Sequence, residues 1–176
     1  MSSEKAMALG QAMRSSGPLV TRFLAGFDET NRTRQAPGLP NHAVWTMGHL
    51  ALTMHRFAEK LGAGGLPESA FVTGDGRKGD ARRFDTESVS FGSRPTDEPA
   101  IYPSLARGRE IFEEALDRAA KAIGAMSDAD LAKTHPWGKG EMAAEELATR
   151  ILFHNGIHAG QLTDLRRALG LAPIIG

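Results

Sequence analysis

Apolar residues recur along most of the chain at spacings of three and four, the period of helices that bury one face. Four long segments show this pattern, at about residues 3–27, 41–60, 103–125 and 141–169. No segment shows the strict apolar–polar alternation of a half-buried strand. The pattern therefore predicts an all-α fold of four long helices, with a short turn at 127–130 after the third.

Local signals mark where these helices begin, break and end. Gly17-Pro18 predicts a kink or break in the first helix, because proline cannot donate a backbone hydrogen bond. Asn41 is a predicted N-cap of the second helix and Gly62 its stop. In the fourth, glutamates occupy the first turns and arginines the last, an order that complements the helix dipole, and Gly170 ends it.

Residues 64–102 connect the second and third helices through a stretch rich in glycine, proline and charge. A connection of this length is uncommon within a compact domain, and is usually functional or a crossover. In a four-helix bundle it could run the length of the molecule and make the second and third helices parallel. We therefore predict a four-helix bundle with a long crossover, which also covers the functional site.

Length and charge indicate the number of domains and argue against one class of partner. At 176 residues the chain predicts a single domain over 1–176, large enough for a substantial core. Its 21 lysines and arginines balance 21 aspartates and glutamates, so it lacks the positive charge that nucleic acids and anionic lipids attract. We expect no nucleic-acid partner.

Cysteine is absent from the chain, which excludes a cysteine nucleophile and means that thiol chemistry needs an external thiol. The N-terminal residues do not resemble a signal peptide, and no apolar run is long enough to span a membrane. The expectation is a soluble, cytoplasmic protein with no membrane partner.

Three histidines suggest a metal site. His154 and His158 lie four residues apart on the apolar face of the fourth predicted helix, and His49 shares a face of the second with Trp45. Two imidazoles spaced in this way can bind one metal ion, and a third from another helix would leave a coordination position open. The alternative is that each histidine is a core residue with one backbone hydrogen bond. Two adjacent buried imidazoles both need partners, however, and a metal satisfies both.

The surrounding residues argue against two familiar metal sites. The glutamate that acts as general base in zincins is missing beside His154, and no histidine has a glutamate three residues before it, as di-iron bundles require. One ion bound by neutral nitrogens remains, and zinc, nickel, cobalt and ferrous iron all suit imidazole. His135, in the predicted loop 134–138, is a weak catalytic candidate, and we expect His42 and His55 to be surface or capping groups.

Two motifs carry a resemblance to a known family. Residues 45–50, Trp-Thr-Met-Gly-His-Leu, resemble the second-helix motif of the DinB/YfiT-like superfamily. Residues 154–162, His-Asn-Gly-Ile-His-Ala-Gly-Gln-Leu, together with 165–170, are similar to its C-terminal helix signature. The order of helices and the long middle connection also match, so the resemblance covers essentially the whole chain.

The resemblance implies a four-helix bundle with an unusual crossover, often a homodimer, and one divalent metal bound by three histidines. These map onto His49, His154 and His158. Characterised relatives include S-transferases and isomerases that use bacillithiol, mycothiol or glutathione, and proteins described as metal-dependent hydrolases.

The sequence leaves two functional hypotheses. The first is a metal-dependent enzyme acting on a small-molecule substrate, by thiol-dependent S-transfer or by hydrolysis. The second is a non-catalytic stress or binding protein in which a metal ties two helices together and mainly stabilises the fold.

Overall fold

The computed structural model describes residues 1–174, so the last two residues of the predicted domain 1–176 lie outside the described part. The chain is rich in helix and contains two small sheets. Its elements, in chain order, are α1 Glu4–Arg22, α2 Ala43–Lys60, β1 Phe71–Val72, β2 Phe84–Asp85, a 3-10 turn Pro99–Ile101, α3 Leu105–Gly124, α4 Asp128–Leu131, β3 Thr134–Trp137, β4 Gly140–Ala143 and α5 Ala144–Ala168.

Helix α1 continues through Gly17 and Pro18, so of the two predicted alternatives, a kink or a break, the break is wrong. It ends at Arg22, before the predicted end at 27. Proline removes one backbone donor from a helix, and α1 packs against α3. Gly17 leaves room for the Leu116 side chain of α3, because a Cβ atom added there would clash with one of its methyl groups.

The N-terminus of α2 is capped by His42, which corrects the prediction of Asn41. The His42 Nδ1 atom accepts a hydrogen bond from the Trp45 backbone N–H at 3.1 Å, and Nε2 donates to the Thr96 carbonyl at 3.0 Å. A carbonyl oxygen can only accept, so the ring is neutral with its proton on Nε2. His42 is fully buried, so it is a capping group but not a surface one. The predicted stop after this helix is confirmed, with Gly62 at φ 87°.

The four long helices pack side by side, and their contacts define their directions. Gly108 lies against Val44, and Arg118 contacts His55, so α2 and α3 run parallel as the crossover prediction requires. Gly10 lies against Ala120, and Gly17 against Leu116, so α1 and α3 run antiparallel. Helix α5 packs on both α1 and α2.

The connection between α2 and α3 contains short elements of its own. Strands β1 and β2 form a two-stranded parallel pair, and the 3-10 turn Pro99–Ile101 follows. Buried residues from this connection, among them Phe84, Val89 and Tyr102, belong to the same hydrophobic cluster as the helices. These buried residues therefore anchor the connection to the core.

A second small sheet precedes α5. Strands β3 and β4 form an antiparallel hairpin in which His135 pairs with Met142. Gly138, at φ 62°, lies in the two-residue turn between them, a conformation that favours glycine. The sequence predicted no strands, a loop at 134–138, and a fourth helix that began at 141. The hairpin corrects all three, because a four-residue strand is too short for the alternation pattern to reveal.

Among residues 1–174, none of the helices has both the length and the hydropathy that crossing a bilayer demands.

Burial of His42 should make the stability of the fold depend on pH. Burial lowers the pKa of the folded His42 ring from 6.5 to about 4, so the neutral ring stabilises the fold above pH 6.5, and this contribution is lost as the pH falls toward 4. At about 1.4 kcal/mol per pH unit the loss reaches about 3 kcal/mol. Urea unfolding at both ends of this pH range gives the free energy of unfolding. We expect this free energy to decrease less in His42→Asn than in the wild-type protein, because asparagine is a capping residue that does not titrate. Equal decreases in both proteins would contradict this role.

Candidate metal centre

Helices α2 and α5 bring three histidines together. His49 projects from the middle of α2, and His154 and His158 project from successive turns of α5. One nitrogen atom from each ring lies within 4.8 Å of the others. The two helices cross antiparallel, since Asn41 contacts Gln161 and His49 contacts His154. The three residues singled out in the sequence therefore form one cluster.

The orientation of the His49 ring is set by the connection between α2 and α3. Its Nδ1 atom lies 2.8 Å from the Val89 carbonyl oxygen. Because that oxygen can only accept a hydrogen bond, Nδ1 carries the proton and Nε2 presents a lone pair. Nε2 lies 3.1 Å from Nε2 of His154. A backbone carbonyl on the outer nitrogen is the usual way in which a protein orients a metal-binding imidazole.

Trp45 stacks on one face of the same ring. The two rings stack with centroids 4.6 Å apart and planes inclined by 10°. The indole N–H donates to the Ser88 carbonyl at 2.9 Å and to the Ser93 hydroxyl at 3.0 Å. Residues 88–93 therefore position both Trp45 and His49. Sequence reasoning missed Ser88 and Val89, because their contacts use backbone atoms, which have no signature in residue type.

His158 has a supporting group of its own. The Gln161 side chain, one turn further along α5, acts to raise the pKa of His158, which burial lowers overall. The Gln161 side-chain oxygen accepts a hydrogen bond from the Asn41 amide at 3.0 Å. Asn41 thus ties the start of α2 to the site on α5, although it does not cap the helix.

Burial keeps the three rings neutral. His49 and His158 are 6% and 7% exposed, and His154 is half-buried. Burial is the main cause that lowers the pKa of His49, that of His154 to about 4 and that of His158 to about 3, and neighbouring rings or arginines lower all three further. A metal ion needs neutral imidazoles, so the rings are in the required state at neutral pH.

The donor set fits a divalent metal ion. The Nδ1 atoms of His154 and His158 are buried without a hydrogen-bond partner among the described residues. Zinc–nitrogen bonds of about 2.0–2.1 Å place two ligands of a tetrahedral ion roughly 3.3 Å apart, close to the 3.1 Å between His49 and His154. The cluster is therefore compatible with a divalent metal site.

The remaining histidines lie outside this cluster. His135 is in strand β3, half-buried, and its Nε2 atom is buried without a hydrogen-bond partner among the described residues. His55, expected at the surface or as a cap, is instead buried, with its Nδ1 atom 2.9 Å from the Arg118 guanidinium. The Arg118 side chain also donates to backbone carbonyls just after α2, which indicates a structural role for the pair.

Comparison with known families places this site in context. The sequence profile of the DinB superfamily matches residues 14–162, a span that includes all three histidines. The chain belongs to the DinB superfamily. Neither the curated proteins nor the solved structures gave a significant match. Membership confirms the resemblance stated from the two motifs, and the three-histidine cluster in a DinB protein is compatible with a metal-binding enzyme.

The lowered pKa values can be measured directly. In metal-free protein we expect the His154 and His158 rings to stay neutral at about pH 5.5, well below the usual histidine value of about 6.5. Long-range proton–nitrogen NMR spectra across a pH titration distinguish the neutral from the charged ring. Midpoints near 6.5 for both rings would show that they are solvated and not held in a buried cluster.

Proposed function

We propose that this DinB protein is a divalent-metal-dependent enzyme that acts on a small molecule, with thiol-dependent S-transfer as its chemistry. The observation that carries the proposal is the approach of three neutral imidazole donor atoms to within 4.8 Å. His49, His154 and His158 would hold the ion. An ion bound by three protein ligands keeps at least one position open, as in catalytic zinc sites.

A divalent cation held there would supply Lewis acidity, which lowers the pKa of a thiol or water and polarises a carbonyl. The protein's own groups supply the geometry. Val89 and Trp45 fix the His49 ring. The ligands are neutral, so the site would retain the full positive charge of the ion, which favours an anionic nucleophile such as a thiolate.

Two features support a small-molecule reaction with an external thiol. His154 is half-buried, so this ring is less shielded from solvent than those of His49 and His158. The chain contains no cysteine, so the thiol is a separate molecule such as glutathione, bacillithiol or mycothiol. His135, whose buried Nε2 atom has no hydrogen-bond partner in the described chain, is the candidate proton acceptor.

The arrangement of the helices is also part of what we propose. We assign the four long helices to a four-helix bundle within one domain, with residues 64–102 as the crossover. The parallel direction of α2 and α3 supports this assignment. Hydrolysis, in which water replaces the thiol, is the alternative reaction at the same site.

A second candidate function is a non-catalytic, metal-stabilised stress or binding protein. Two surface concavities, of about 560 and 440 Å³, are lined by residues of the crossover and of the end of α2, among them Arg83, Phe71 and Glu59. None of the three clustered histidines lines either concavity. In this function the metal would mainly join α2 to α5, the two helices that contribute the three histidines.

Metal binding is the first prediction of the proposal. We expect the metal-free protein to bind about one zinc or nickel ion, and His49→Ala or His154→Ala to weaken binding by more than about 100-fold, because loss of an outer supporting group alone costs about 10–100-fold. Isothermal titration calorimetry gives the affinity, and thermal unfolding gives the stabilisation by bound metal. His135→Ala, a histidine outside the cluster, is the matched control and should bind normally. Normal binding by both ligand variants would refute the site.

Catalysis is a separate prediction. With glutathione and a chlorodinitrobenzene electrophile, we expect thioether formation by the metal-loaded protein and only the background rate from metal-free protein or His154→Ala. A nitrophenyl ester without thiol tests the hydrolytic alternative. Equal rates with and without metal would exclude metal-dependent transfer. Tight metal binding with no turnover of either class of substrate would favour the stabilising role.

A further inference from the structure

Two arginines flank the three-histidine cluster on the helices that carry it. Arg56 follows His49 by seven residues on α2, and Arg150 precedes His154 by four residues on α5. These spacings place each arginine on the same helix face as its histidine. The helical rise sets Arg56 about 10 Å and Arg150 about 6 Å along the axis from the respective histidine. Both arginines are exposed.

Both arginines lie toward the same end of the cluster. Helices α2 and α5 run antiparallel, so residues that follow His49 and residues that precede His154 lie on the same side along the helix axes. At the opposite end the Asn41 amide donates to the Gln161 side-chain oxygen, which joins the two helices. Positive charge therefore borders one end of the cluster, and a polar contact between the helices borders the other.

The charges of these arginines act on the clustered rings. Burial is the main cause that lowers the pKa of His49, and Arg56 lowers it further. Burial, then the His49 ring and then Arg150 lower the pKa of His154. A positive charge that disfavours a charged imidazole also repels a divalent cation bound to the same ring. A site that served only to hold a cation would therefore gain nothing from arginines at these two positions.

Neither arginine forms an ion pair with a carboxylate in the described part of the chain. Two glutamates are close to them in sequence, Glu59 one turn after Arg56 and Glu146 one turn before Arg150. The Glu146 carboxylate instead accepts a hydrogen bond from the Ala143 backbone N–H at 3.2 Å, at the start of α5. Two guanidinium groups beside the cluster are therefore available to a negatively charged ligand.

We propose that Arg56 and Arg150 bind the carboxylate of a small-molecule substrate at the three-histidine cluster, so that the site selects carboxylate-bearing molecules. A guanidinium group binds a carboxylate through two parallel hydrogen bonds, which fixes the orientation of the ligand as well as its charge. Local positive charge also raises the concentration of anions at the site. The inference rests on the proposed function, because it assigns a substrate class to the same site. The carboxylate belongs either to the thiol, as in glutathione, or to the electrophile.

Isothermal titration calorimetry of the zinc-loaded protein tests this assignment without requiring turnover. Glutathione and chlorodinitrobenzoate are the two probes, titrated separately, and their neutral ethyl esters are the matched ligands. We expect at least one probe to bind, and Arg56→Gln and Arg150→Gln each to weaken its binding by about 10-fold, as for the loss of one charge-assisted hydrogen bond. The ester of that probe should bind weakly, with an affinity that neither substitution changes. The probe that responds identifies the molecule that carries the carboxylate.

Two further sets of variants separate charge from position. Arg56→Lys and Arg150→Lys keep the charge but lose the paired donors, so they should lose less affinity than the glutamine variants. Arg109→Gln, at an exposed position on α3, is the matched control and should bind both probes as the wild-type protein does.

The zinc affinity of the same variants shows whether the arginines recognise a ligand or shape the metal centre. Because a positive charge repels the ion, Arg56→Gln and Arg150→Gln should bind zinc at least as tightly as the wild-type protein. Weaker zinc binding would overturn the proposal, and so would binding of neither probe or binding that is independent of both arginines.

The outcome for the anion site is distinct from that for the enzyme. Arginine-dependent binding of a probe without any turnover would support the anion site while refuting the proposed enzyme. Metal-dependent turnover that is unchanged in the Arg56→Gln/Arg150→Gln double variant would support the enzyme and refute the anion site.

Discussion

The hydrogen bond between the His49 Nδ1–H group and the Val89 carbonyl connects the parts of this structure on which its proposed chemistry depends. It determines which nitrogen of the ring carries the proton, and so which nitrogen faces His154. It also joins the connection between α2 and α3 to the middle of α2. Without it the His49 ring could rotate, and the lone pair would no longer point toward α5.

In this arrangement three imidazoles are held close together and largely shielded from water. Charged rings at these distances would repel one another, and burial already disfavours the charged form. The protein therefore holds all three rings neutral at pH 7, while the Nδ1 atoms of His154 and His158 have no hydrogen-bond partner in the described chain. A bound divalent cation would accept one lone pair from each of the three neutral rings.

Much of the fold and of the candidate site could be predicted from the sequence. The three-and-four spacing identified the long helices because their buried faces are continuous, and His154 and His158 shared a face by helix geometry alone. Packing of His49 against them could not be derived from periodicity, because it depends on the crossing of α2 and α5; the family resemblance supplied it. The contacts of Val89, the hairpin at 134–143 and the cap at His42 escaped prediction because they depend on backbone atoms, short strands and tertiary burial.

The DinB fold here brings together three neutral imidazoles in a cluster compatible with a divalent metal site, and the residues around it would decide what reacts there. X-ray absorption spectroscopy of the metal-loaded protein tests the central claim most directly, because it reports the atoms bound to the ion. The account predicts a first shell that contains three imidazole nitrogens at about 2.0–2.1 Å, reduced to two in His49→Ala. A shell dominated by carboxylate oxygens, or one unchanged by the loss of His49, would contradict it.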